Sequence, residues 1–131
     1  MKSIRYVYFW KVFRPIIVFA IIILAGHVVP VRAELRLGVD IPTTEPLVGL
    51  ASVMGNPAEY DGKAIVMKGF VSGQCASLCE FMFRDGMHTA TIYPQGFKFP
   101  KLKKGKPVTI YTQVISGEGQ VVFSALGLKM E

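Results

Sequence analysis

Hydrophobic and polar positions keep three different rhythms along this chain. Residues 1–14 mix aromatic and basic side chains, and an almost unbroken apolar run from Ile16 to Gly26 follows Pro15. From Glu34 onward the apolar residues come in short, regularly spaced groups. Leu47, Leu50, Ala51 and Met54 recur at helical spacing behind Pro46, which predicts a short amphipathic helix over 46–54 ending at Gly55 or at Asn56-Pro57. The turn formers of 56–63 then deliver the chain into an apolar, β-branched run at 64–71, where period two puts Ile65, Met67, Gly69 and Val71 on one face. Four further runs read as strands: 79–84, then 88–93 across the Asp85-Gly86 turn, 107–115, and 120–129 across a turn at 116–119. Residues 34–45 show no period and predict an extended lead-in, and the prolines, glycines and lysines of 94–106 predict a loop.

Five strands in so short a chain leave too much unpaired edge for an open, single-faced sheet. Closing the sheet on itself removes the edges. A mid-strand glycine in a long first strand and a tight hairpin joining the second and third strands fit a five-stranded Greek-key barrel of the OB-fold type. The predicted fold is therefore all-β, an OB-fold-like barrel over 46–131 with a short N-terminal helix before its first strand. The run NPAEYDGK at 56–63, the pattern apolar-x-x-Gly-x-Val from Val66 to Val71, and the acidic-glycine hairpin also carry a resemblance. Together they resemble small exported bacterial OB-fold proteins grouped with tRNA-anticodon-binding-like domains. The resemblance covers roughly residues 46–129 and implies the fold rather than a function.

Charge changes the picture only after the first segment is understood. Lys2, Arg5, Lys11 and Arg14 precede the apolar run without an acidic neighbour, and Val31-Arg32-Ala33 follows it. That is the layout of a secretory signal over 1–33, with cleavage before Glu34. The apolar core, about 11–14 residues, is short for a bilayer span. The competing reading is an uncleaved anchor over 15–31, with Tyr6, Tyr8, Phe9 and Trp10 at the interface. The chain carries 15 basic and 9 acidic residues, a net charge of +6. Five of the basic residues and none of the acidic ones precede Glu34, so the remainder is close to neutral, ten against nine. The basicity belongs to export, and nucleic-acid binding loses its main support. Expected locations are the periplasm or the extracellular space, with membrane contact only through the N-terminal segment if it stays uncleaved.

Both cysteines lie in the exported part, as Cys75-Ala-Ser-Leu-Cys79 between the first two barrel strands, in a loop that OB-folds use for ligand contacts. Four readings stand side by side. In an oxidising compartment the pair can close as a disulfide. Alternatively Cys75 and Cys79, with Met82, Met87 or His88 from the adjacent hairpin, can hold copper or zinc. Thiol exchange is the third reading, although the C-x-x-C motif at a helix N-terminus is missing and nothing in the sequence lowers a thiol pKa. Two packed, free thiols are the fourth.

Outside this loop the chemistry is sparse. His88 has no second histidine beyond the signal, and no Ser/His/Asp arrangement or phosphate-binding glycine loop is visible, so no enzymatic activity and no obligatory cofactor is expected. Lys98, Lys101, Lys103, Lys104 and Lys106, interleaved with Phe97 and Phe99, could contact an anionic envelope ligand such as a phospholipid headgroup or cell-wall polymer. Their alternative role is a solvated loop that keeps strand edges apart. Phe70, Phe81, Phe83 and Tyr93 would form an apolar ligand face if exposed together, and otherwise belong to the core. The resulting expectation is an exported, non-catalytic binding or accessory module that presents the Cys75–Cys79 loop and the face of its second and third barrel strands to a ligand or partner protein.

Overall fold

A computed structural model describes residues 28–131 of the chain, so the signal segment expected over 1–33 lies, apart from its last six residues, outside the described part. No helix among the described residues is long and apolar enough to cross a membrane. Ala33–Glu131 form one compact unit. Its elements in chain order are β1 (Leu35–Gly38), α1 (Leu50–Gly55), α2 (Pro57–Tyr60), β2 (Ala64–Gln74), β3 (Phe81–Asp85), β4 (His88–Pro94), β5 (Pro107–Gly117) and β6 (Gln120–Met130).

Strands β2 to β6 close into a five-stranded barrel of OB type. β2 pairs with β3, β3 with β4, and β5 with both β2 and β6, all antiparallel. The ring is completed by a parallel β4–β6 pairing, with Ile92 opposite Phe123. Alternation works as the sequence suggests: Ile65, Met67, Val71, Phe81, Phe83, Ile92, Ile110, Val114, Phe123 and Leu128 point inward and are almost fully buried. Period two alone left the face of β3 open, and the structure decides it, with Phe81 and Phe83 inside and Met82 40% exposed.

β2 pairs with two different neighbours along its length. Residues Ala64 to Phe70 face β5, whereas Phe70 to Gln74 face β3 with a bulge between Val71 and Gly73. The change of partner occurs at Phe70, right after Gly69, where β2 runs so close to β3 that a Cβ on Gly69 would lie 2.3 Å from the Arg84 carbonyl oxygen and 2.6 Å from the Phe83 ring. Only glycine fits there.

Both barrel ends are filled, each by a different device. Beneath Asp85 the helix α1 inserts Leu50 and Val53, both fully buried, and the Asp85 carboxylate accepts the Leu50 N–H at 3.0 Å. That bond supplies the N-terminal cap that Gly49 has no side chain to make. At the other end the loop 95–106 tucks Phe99 and Leu102 inside, and Phe99 meets Phe81 edge to face at 5.0 Å.

Three local expectations are revised. The helix predicted over 46–54 begins only at Leu50, because Pro46 and Val48 instead hydrogen-bond to Val66 of β2. The turn expected at 56–63 opens with the helical turn α2, which Pro57 starts. The lead-in, expected to be extended but to carry no strand, contributes one: β1 adds to the barrel on β6, with Leu37 against the core. Gly38 and Gly127 permit this, since a Cβ on Gly127 would sit 2.1 Å from the Val39 carbonyl oxygen.

The two glycine environments yield a stability test. Gly69→Ala should cost about 3 kcal/mol by forcing β2 away from β3, read as a lower urea midpoint. Gly55→Ala, with no atom within 4 Å of the new methyl, should change stability by well under about 1 kcal/mol. Equal effects at the two sites would contradict the close β2–β3 approach.

Candidate functional site

The loop between β2 and β3 leaves the barrel at Gln74 and returns at Phe81, passing through Leu78 in a left-handed conformation at φ 58°. This turn folds the loop back so that the two cysteines face each other. Their sulfurs are 2.7 Å apart, and the Cys79 N–H donates to Cys75 Sγ at 3.1 Å. Ser77 sits between them, its Oγ 3.4 Å from Cys75 Sγ and donating to Cys79 Sγ at 3.3 Å. Both are free thiols, Cys75 half-buried and Cys79 exposed. The sulfurs stand farther apart than the about 2.05 Å of an S–S bond, so the disulfide that the sequence offered is not shown, although the loop already brings the pair face to face.

Electrostatically the pair is not ordinary. Hydrogen bonds from the Cys79 thiol first, then Ser77, then the backbone at Glu80 and Cys79 lower the Cys75 thiol from 9.0 to about 7, with partial burial opposing them. No such lowering was visible in the sequence, because its donors are created by the turn at Leu78.

Glu80 completes the cluster: its carboxylate and the two sulfurs all lie within 4.8 Å of one another. Beside it stands Tyr93, whose phenol is raised above 10.0 chiefly by the negative charge of Glu80. Glu80 was not singled out from the sequence, and Tyr93 was placed there only in an apolar face with Phe70, Phe81 and Phe83. The hairpin register would have found them, since pairing Asp85 with His88 and counting back past Phe81 opposite Ile92 brings Glu80 opposite Tyr93.

The other candidates separate. Met87 and His88 are exposed at the hairpin tip, four residues of β3 or about 13 Å from the thiol loop. They cannot join Cys75 and Cys79 around one ion, which corrects the copper or zinc set read from the sequence. Met82 is near, on the outer face beside Gly73, where its sulfur accepts the Thr91 hydroxyl at 3.5 Å. The four aromatics do not form a common face: Phe81 and Phe83 are core, Tyr93 stands at the thiol site, and Phe70 lines a separate cleft of about 730 Å³. That cleft, under the N-terminal arm, mixes Arg36, Lys68 and Lys129 with Asp40, Asp85 and Glu131 and includes no thiol-loop residue.

Lys98, Lys101, Lys103, Lys104 and Lys106 are all exposed, and among the described residues none makes a salt bridge. Phe99 is buried among the core residues, so it is not a stacking platform. The lysine loop is nevertheless fixed to the end of β2 next to the thiols. Gln74 donates to the Pro100 carbonyl at 2.9 Å and accepts the Leu102 N–H at 2.8 Å, while Gly105 N–H donates to Val71 at 2.7 Å. A cationic loop thus flanks Cys75.

No protein-family model and no curated protein sequence matches the chain. Among solved structures it is similar to a protein described as an aspartyl-tRNA synthetase of Leishmania major Friedlin, with a TM-score of 0.52 and 11% identity. The likeness covers 72% of this chain but only 22% of that one. It extends to the barrel fold and carries no activity with it.

Cys75 should therefore alkylate with a pH profile of its own. A thiol lowered to about 7 is protonated and slow below that pH and becomes thiolate above it, so iodoacetamide labelling of Cys75 in the reduced protein should rise with a midpoint near 7. In Cys79→Ala, which removes the largest contribution, the midpoint should move up toward 9. An unchanged midpoint, followed by mass spectrometry of the Cys75 peptide, would contradict the assigned cause.

Proposed function

We propose that this protein is an exported binding module without catalytic machinery, which receives its ligand on the β2–β3 loop and the outer face of β3 and β4. One observation carries the reading: Cys75, Cys79, Glu80 and Tyr93 converge at the edge of that face. Loops and faces of this kind are where OB barrels place their ligands.

Around the cluster, Met82, Thr91 and Tyr93 offer a half-exposed surface that is neither a sealed core nor a plain polar exterior. The lysine loop beside it favours an anionic partner of the cell envelope over a neutral one. Near-neutral charge beyond residue 33 argues against a nucleic acid, for which a wider basic surface is needed.

Site-specific photo-crosslinking in intact cells tests the reading. A photoreactive residue in place of Met82 or Thr91 should give envelope-associated adducts, and one in place of Thr109, on the far side of the barrel, should not. Replacing the five loop lysines with alanine should lower the adduct yield several-fold. Equal labelling from all three positions would refute the assignment of the face.

A further inference from the structure

Resting on the reading of the β2–β3 loop as the binding site, we propose that Cys75, Cys79 and Glu80 hold a thiophilic d¹⁰ metal ion, Zn(II) or Cu(I). The three donor atoms lie within 4.8 Å of one another. Zinc–sulfur bonds of about 2.3 Å and zinc–oxygen bonds of about 2.0–2.2 Å place the donors of a tetrahedral site about 3.5–3.8 Å apart, which these three atoms reach by small side-chain movements.

The sulfurs, now 2.7 Å apart, must open to about 3.8 Å to sit at a tetrahedral angle on one ion. Rotation about χ1 of the exposed Cys79 provides that movement without disturbing the barrel. On binding, any thiol still protonated gives its proton to solvent, and the two bound thiolates balance the charge of a divalent ion. The Cys79 N–H and the Ser77 hydroxyl already point at the sulfurs as donors suited to thiolates. Tyr93 stands beside Glu80 across the β3–β4 register, where its hydroxyl is available to the carboxylate from outside the ion's own shell.

The set is open. Three protein ligands leave a fourth position facing solvent beside Cys79, the arrangement of a site that exchanges its ion or admits a further ligand rather than one that seals a structural zinc. Zn(II) makes use of the carboxylate oxygen. Cu(I) binds thiolates and has little affinity for it.

Full-length reduced protein, freed of metal, is titrated with Zn(II) against a chromophoric chelator and, without oxygen, with Cu(I) against a Cu(I)-specific one. The expected result is one ion per chain, with Cys75→Ser and Cys79→Ser each weakening binding roughly 100-fold. Glu80→Gln separates the two ions: it should weaken Zn(II) about 10-fold or more and leave Cu(I) unchanged. Circular dichroism of each variant confirms that the barrel persists. Wild-type binding no tighter than that of a Cys75→Ser/Cys79→Ser double variant overturns the site. So does protein isolated without reductant whose thiols stay blocked until reduction and which carries no metal. If metal binding fails while crosslinking from Met82 persists, only the metal is lost and the binding face stands; if both fail, the face is wrong as well.

Discussion

The whole domain depends on one close approach, that of β2 to β3 at Gly69. By letting two backbones come nearer than any side chain would allow, it bends β2 so that its first half belongs to β5 and its second half to β3. Without the bend the five strands would stay an open sheet with two bare edges. The bend turns a five-stranded sheet into a ring, and the parallel β4–β6 pairing has only to finish it. The ring then sets the size of the core, which α1 fills from one end and Phe99 and Leu102 from the other.

Function inherits this geometry. The far half of β2 ends at Gln74, and two loops depend on that point: the thiol loop continues from it in sequence, and the lysine loop is tied to it by the Gln74 side chain. The β3–β4 hairpin, in turn, fixes Glu80 opposite Tyr93 and brings both to the thiols. Residues from one strand and one loop thus meet at one edge of the outer face. None of them is needed for the core, so their chemistry is free to serve a ligand.

Much of the barrel was legible from period and turns. The inward set of β2, the Asp85-Gly86 hairpin and the loop expected over 94–106, which begins one residue later after Pro94 of β4, all follow from local rules that the structure obeys. What escaped was non-local. Residues 35–38 have no strand pattern, and only the bare backbone of Gly127, distant in sequence, lets β1 dock there. The helix began late because Pro46 and Val48 found partners on β2, a tertiary bond that no propensity describes. At the site, the cysteines themselves were obvious. Their companions were chosen by nearness in sequence, which favoured Met87 and His88, whereas a hairpin carries its tip away from its base and brings Glu80 and Tyr93 together instead.

The central claim is that a bent strand delivers Cys75 and Cys79 as a working pair of thiols with Glu80 at their side. X-ray absorption at the zinc edge of the zinc-loaded protein addresses it most directly, since it counts the atoms around the ion. Two sulfurs at about 2.3 Å with oxygen at about 2.0–2.2 Å are expected. A shell of nitrogen and oxygen alone, or one holding a single sulfur, would contradict it.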